Sequence, residues 1–363
     1  MHMRYLCAIL FHGKMKTENP LPNRFSVFAG PCSAESLSQL QDVAGFISQW
    51  NQSQGLKIQA LRAGAWKPRT HPGQFEGYGR KAIGWLQRIK KEYGLAVATE
   101  VATTHHVECC LKAGIDILWV GARTSSNPFL MQEIASALQG CTLPVWIKNP
   151  ISPDLGLWRG AVERIAKASK GTVGAIHRGF GICNPAPYRN APLWEMAVEM
   201  KRSCPQIPLL CDPSHIGGKR ELVAGIAQTS VDLEMDGLMI EVHPRPEEAL
   251  SDAPQQLALD ALGKLLSGLR FRDTQGSTAR MTQIRCILDE IDDELVQLIS
   301  RRMRLVEEIG RLKKASNLSV LQMNRWNAVV ERALAQARAQ GLDEDFVRGL
   351  FNCIHSEALR LQQ

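Results

Sequence analysis

The residues with the most chemistry to offer are few and far apart. Cys32 closes an apolar, strand-like run, Phe25-Ser26-Val27-Phe28-Ala29, by way of Gly30-Pro31. Far downstream come Asp212-Pro213-Ser214-His215, then Glu241-Val242-His243, then Asp252. A thiolate, an imidazole and two carboxylates, each near the end of a separate strand, make a candidate site for one divalent transition metal. A mixed S, N and O donor set suits Mn, Fe, Co or Zn better than Mg. His243, two residues past Glu241, is a rival ligand or a partner that orients one.

A second group of residues is cationic. In Leu61-Arg62-Ala63-Gly64-Ala65-Trp66-Lys67-Pro68-Arg69-Thr70 two cations flank a rigid proline and a third opens the segment. Arg123 in Gly121-Ala122-Arg123, Lys148 and Arg178 follow other strand-like runs. Positive side chains converging on one mouth repel each other unless a multiply charged anion is present, and a phosphorylated, carboxylated substrate fits.

These residues need a scaffold that gathers strand ends. Apolar, β-branched runs recur near Phe25–Ala29, Lys57–Leu61, Ala96–Glu100, Ile117–Gly121, Val145–Lys148, Val173–His177, Leu209–Asp212 and Leu238–Val242, each followed by a helical pattern. The spacing predicts an α/β fold, a (β/α)8 TIM-type barrel over residues 25–270, with the candidate residues at its C-terminal face. Near Phe271 the alternation stops. Residues 271–280 read as a linker, and residues 281–363 as a small all-α domain of three helices. Ile284, Ile287, Leu288, Ile291, Leu295, Leu298 and Ile299 recur at helical spacing. Three helices make a marginal core, which dimerisation through this domain would complete. Arg285, Arg302 and Lys313 lie among these apolar positions, where a cation either meets an anion or snorkels to water.

The chain has 363 residues, a formal charge of +7, 45% apolar residues and ten cysteines. Lys and Arg are spread out, with no block of five or six like charges, which argues against a nucleic-acid surface. The cysteines lack paired C-x-x-C spacing, as in a reduced, cytoplasmic protein. Residues 1–24 read as an N-terminal extension. Its apolar run from Tyr5 to Phe11 is too short for a signal peptide or a membrane span, and no other run approaches the ~20 apolar residues a span needs.

The combination Gly30-Pro31-Cys32, Lys67-Pro68-Arg69-Thr70, Gly121-Ala122-Arg123, Asp212-Pro213-Ser214-His215 and Glu241-Val242-His243 strongly resembles the 3-deoxy-D-arabino-heptulosonate 7-phosphate (DAHP) synthases. The likeness is to their short microbial type, whose relatives include 3-deoxy-D-manno-octulosonate 8-phosphate synthases. This resemblance implies condensation of phosphoenolpyruvate with erythrose 4-phosphate. It implies one divalent metal, Mn favoured, on Cys32, His215, Glu241 and Asp252. It also implies that Arg62, Lys67, Arg123, Lys148 and Arg178 hold phosphoenolpyruvate, with Ala122 and Glu100 beside it. Arg69 and Thr70 would grip the aldose phosphate, with Asp212 near its hydroxyls. Lys67 is the candidate proton donor.

The tail, from about Met281, resembles the all-helical chorismate mutases of the AroQ class, which form intertwined dimers. By that resemblance Arg285 reaches into the partner's site, Arg302 binds a carboxylate of chorismate, Lys313 and Gln362 face the ether oxygen, and Arg325 lines the pocket. Three positions depart from the pattern. Trp326 stands where many relatives carry a glutamate that meets the substrate hydroxyl, Gln322 replaces a common aspartate, and Ala358 a frequent serine. A catalytically silent sensor of chorismate or prephenate is therefore the competing reading of the tail. The fused arrangement itself raises feedback of prephenate on the synthase.

Overall fold

The computed structural model describes residues 25–53, 55–69, 71–182, 186–272 and 278–362. The N-terminal extension at 1–24, most of the linker, and Thr70 lie outside the described residues. Two units are present, one up to Thr274 and one from Gln275.

Eight parallel strands close into a barrel in simple chain order. They are β1 (Ser26–Gly30), β2 (Ala60–Arg62), β3 (Ala96–Val101), β4 (Ile117–Val120), β5 (Val145–Lys148), β6 (Val173–His177), β7 (Leu209–Cys211) and β8 (Gly237–Glu241). The predicted alternation is therefore present, with boundaries shifted by at most three residues and those of β5 and β6 unchanged. Around the barrel run α1 (Leu37–Gln52), α2 (Arg80–Tyr93), α3 (Thr104–Ala113), α4 (Ala122–Ser125), α5 (Pro128–Ala137), α6 (Leu155–Ala168), α7 (Trp194–Ser203), α8 (Pro213–Gly217), α9 (Arg220–Asp232) and α10 (Leu259–Gly268).

Local sequence explains the punctuation. Ser36, Thr103, Asn127 and Asp154 accept backbone N–H bonds at the starts of α1, α3, α5 and α6, as short oxygen-bearing side chains do at N-caps. Gly94 and Gly114 end α2 and α3 in the left-handed conformation. The strands are almost wholly buried, because helices cover one face and the barrel interior fills the other. Inside, Phe28, Trp119, Trp146, Ile176, Leu210 and Met239 interdigitate with Ala60 and Ala98, so large and small side chains share each layer. A larger core joins the outer strand faces to the helices.

Register puts the chemistry in one place. Gly30 pairs with Glu241 across the β1–β8 seam, so Cys32, two residues on, emerges beside the end of β8. Gly30 allows this closeness: a Cβ there would lie 2.0 Å from the Arg62 carbonyl oxygen. His177 pairs with Cys211, which sets Arg178 beside Asp212.

The helical unit comprises α11 (Ala279–Ala315), α12 (Met323–Ala339) and α13 (Glu344–Leu361). Its core is small: Val330, Ala333, Leu334, Ala337 and Val347, flanked by Trp326 and Phe351. Asp343 caps α13 by accepting the Phe346 N–H at 2.7 Å. The apolar stripe from Ile284 to Ile299 on α11 remains 40–61% exposed in the single chain, apart from the more exposed Val296.

Candidate active site

The sulfur of Cys32 sits at the floor of the barrel mouth. Its Sγ lies 3.1 Å from Asp252 Oδ2 and 2.9 Å from Lys67 Nζ. Ligand atoms of Cys32, Glu241 and Asp252 all fall within 4.8 Å of one another. His215 Nε2 approaches Glu241 Oε1 to 3.8 Å, while Nδ1 contacts Asp212 Oδ2 at 2.8 Å, without good hydrogen-bond alignment. An outer carboxylate on one ring nitrogen leaves the other turned toward a metal position. Asp252 is brought in by the β8–α10 loop, so it shares β8 with Glu241 rather than following a separate strand as expected. It lies in a left-handed conformation with φ 49° between two short 3₁₀ turns, which aspartate tolerates better than most residues. His243 is not part of this cluster. Its Nε2 lies 3.5 Å from Glu35 and its Nδ1 accepts the Arg245 N–H.

The electrostatics fit a cation. Burial pushes the Cys32 thiol well above its ordinary range, and Glu241 and Asp252 push the same way against Lys67 and Arg62. Burial also acts to raise Glu241, but His215, Arg62 and Lys67 outweigh it and hold the carboxyl at about 2. Asp252 is likewise held low, with Lys67, His215 and Arg189 overcoming its burial. Two ionised carboxylates beside a buried sulfur, joined by an imidazole, form a donor set matched to a divalent transition metal.

Above this floor opens a cavity of about 460 Å³. Lys67, Arg69, Arg123, Lys148, Arg178 and Arg189 line it, together with Glu100, Ala122, Asn190, His215 and Asp252. Lys148 Nζ lies 2.7 Å from Asp212 Oδ2. Glu100 accepts a bond from Trp119 Nε1 at 3.0 Å. Gly121 leaves room for that carboxylate, since a Cβ there would lie 2.2 Å from Glu100 Oε1. The Arg69 Nε is buried and unpaired. Burial pulls the Arg178 guanidinium down to about 10, with Arg189 and Arg123 pulling the same way against Asp212. Such crowding is relieved by a bound polyanion.

Two expected substrate contacts lie elsewhere. Arg62 is fully buried and does not line the cavity. It donates to Glu241 Oε1 at 2.8 Å and lies 4.6 Å from the Trp119 ring centre. Removing one partner of a fully buried ion pair costs about 3–5 kcal/mol, so Arg62 carries folding as well as any ligand role. Asp212 is also buried, facing Lys148 and His215 rather than the open cavity. Thr70 lies outside the described residues.

A family model described as the DAHP synthetase I family matches residues 19–274. The chain belongs to the DAHP synthetase I family. A second model, chorismate mutase type II, matches residues 284–363, so this DAHP synthase barrel carries a chorismate mutase domain behind it. The phospho-2-dehydro-3-deoxyheptonate aldolase of Thermotoga maritima is 30% identical over 246 residues, 68% of this chain and 69% of that one. A 2-dehydro-3-deoxyphosphooctonate aldolase of Dechloromonas aromatica is 26% identical over 285 residues, covering 74% of this chain and 98% of its own. The crystal structure of the Thermotoga maritima DAHP synthase superposes with a TM-score of 0.59 at 28% identity, over 73% of this chain and 70% of that one. Among the described residues no helix is long and apolar enough to cross a membrane.

In the chorismate mutase domain, Arg302 is partly buried with its Nη1 unpaired, and burial pulls its pKa down. Lys313 Nζ donates to Val320 O at 2.6 Å and to Gln362 Oε1 at 3.1 Å. Arg285 and Arg325 are exposed in the single chain. Two of the departures, Trp326 and Gln322, have visible consequences. Trp326 stacks on His355 with ring centres 3.8 Å apart. Gln322 occupies the N-cap of α12 without making the side-chain bond an aspartate would make. The Ala358 carbonyl accepts from Gln362 Nε2 at 3.0 Å. His355 carried no periodic or motif signal, and neither did Arg189, Asn190 and Gln255 around the barrel mouth.

Proposed function

We propose that the barrel joins phosphoenolpyruvate to erythrose 4-phosphate at a divalent-metal centre held by Cys32, His215, Glu241 and Asp252. The observation that carries this reading is the clustering of Cys32, Glu241 and Asp252, with His215 Nε2 3.8 Å from Glu241 Oε1, beside the cation-lined cavity. When bound there, a divalent ion would supply Lewis acidity for the aldehyde carbonyl. Lys148, Arg178 and Arg123 would take the phosphate and carboxylate of phosphoenolpyruvate, and Arg69 with Thr70 the aldose phosphate. The tetrose is favoured over a pentose by the Lys67-Pro68-Arg69-Thr70 segment. C3 of phosphoenolpyruvate attacks the aldehyde, water adds at C2 and inorganic phosphate leaves. Holding both anions in line supplies much of the rate.

Lys67 is positioned to donate the proton that the aldehyde oxygen gains. Burial acts to lower its pKa, but Cys32, Glu241, Glu100 and Asp252 outweigh it, so Lys67 stays an ammonium. Lys67→Met should lower kcat by about 10²–10⁴-fold, the range of general-acid catalysis. Near-normal turnover in that variant would remove Lys67 from the role.

For the tail we propose chorismate rearrangement to prephenate in a homodimer. The exposed α11 stripe supports an α11-mediated dimer, in which the partner subunit supplies its own copy of the exposed arginine at position 285. Sedimentation of the full-length protein should give a dimer or a higher even oligomer, and a monomer at micromolar concentration would contradict this. Feedback by prephenate completes the reading. Saturating prephenate should slow the synthase, and an unchanged rate would leave the two domains uncoupled.

A further inference from the structure

Between β6 and α7, Arg189 and Asn190 reach residues that follow β7 and β8. Arg189 N donates to Ile216 O at 3.0 Å and Gly217 O at 3.2 Å. Gly218 has no room for a side chain beneath it, since a Cβ would lie 2.4 Å from the Arg189 Cβ. The Arg189 backbone is therefore seated on the end of α8, the short helix that carries His215. Its guanidinium points the other way. Nη1 donates to Asp252 Oδ1 at 2.9 Å and to Gln255 Oε1 at 2.7 Å. Gln255 Nε2 in turn donates to Glu241 Oε2 at 2.6 Å. The next residue, Asn190, donates from Nδ2 to His215 O at 2.6 Å and accepts from Arg178 Nη1 at 2.8 Å.

From this network we infer that Arg189 is a positioning residue for the metal centre, fixing Asp252 directly and Glu241 through Gln255. The inference rests on the reading that Cys32, His215, Glu241 and Asp252 hold a divalent ion. Asp252 has two oxygens with separate duties: Oδ1 is tied to Arg189, which leaves Oδ2 facing Cys32 Sγ at 3.1 Å. The Asp252 backbone itself is held in a left-handed conformation, a state that persists only where surrounding contacts impose it. Arg189 supplies such a contact from a different strand's loop.

Charge alone makes the opposite prediction. A guanidinium near the site repels a divalent ion, so removing it would tighten metal binding if electrostatics dominated. Ordering of the ligands predicts weakening, because outer partners of metal ligands typically carry 10–100-fold in affinity. The sign of the change separates the two.

The test is titration of the chelator-stripped full-length protein with Mn²⁺, reading free Mn²⁺ by electron paramagnetic resonance. Arg189→Met should bind Mn²⁺ about 10–100-fold more weakly than the parent, and Arg189→Lys should recover part of the loss. Equal or tighter binding in Arg189→Met would overturn the inference. Should circular dichroism show that Arg189→Met is unfolded, Arg189→Lys decides. Its single ammonium cannot reproduce the guanidinium fork, so weakening supports the role and parental affinity overturns it. Cys32→Ala separates the two levels. If Cys32→Ala and the parent titrate alike, the metal reading itself fails and takes this inference with it. If Cys32→Ala loses Mn²⁺ while Arg189→Met keeps it, only the role of Arg189 fails.

Discussion

The Cys32→Ala variant is expected to lose DAHP formation almost completely while chorismate turnover stays at the parental level. Cys32 is fully buried, and its sulfur lies among Asp252, Lys67 and Glu241. Outer partners of metal ligands already carry 10–100-fold in affinity, so loss of a direct ligand should weaken Mn²⁺ binding by more than about 100-fold. Restoring synthase activity with excess Mn²⁺ would be partial at best. The sulfur is small and tightly enclosed, so alanine leaves little void, and loss of activity would be separable from unfolding by thermal melting. Parental synthase activity in a stripped, then metal-loaded, Cys32→Ala sample would remove the thiolate from the centre.

Arg302→Ala is expected to have the complementary effect, with chorismate turnover lost and DAHP formation retained. The guanidinium is half-buried on α11 with Nη1 unpaired, and His355 and Lys313 stand nearby. A partly buried cation without an acidic partner is costly unless an anion meets it. Removing one preorganised donor at a developing charge typically costs about 10²–10³ in kcat. Absorbance of chorismate and appearance of prephenate would follow the reaction. If the parent itself leaves chorismate untouched while still making DAHP, the helical domain is a sensor or a dimerisation module. The Trp326–His355 stack would then be the feature that displaced catalysis.

Much of the barrel was legible because parallel strands are buried on both faces. Val145–Lys148 and Val173–His177 read as continuous apolar runs, and each ends in, or is followed at once by, a cation. Register did the rest: Gly30 faces Glu241, so the sequence-distant candidate ligands Cys32 and Glu241 meet without any long-range reach. What stayed hidden lay in loops. Arg189 and Gln255 act through contacts between the β6–α7 segment and the β8–α10 loop, and neither segment has a periodicity that could reveal the meeting. Arg62 was read as a substrate cation, and what its sequence did not show is the buried ion pair with Glu241 and the contact with Trp119. His243 follows Glu241 at a spacing of two, yet it is buried against Glu35 rather than among the candidate ligands. In the helical domain the apolar stripe on α11 was legible from its spacing, and in the single chain it is exposed.

The most direct measurement is the condensation itself, run on chelator-stripped full-length protein with phosphoenolpyruvate and erythrose 4-phosphate, before and after Mn²⁺ is returned. DAHP and inorganic phosphate appearing together in equal amounts, only after metal addition, is the predicted result. No DAHP with metal restored, or equal DAHP in the presence of excess chelator, would contradict a metal-centred synthase at the mouth of this barrel.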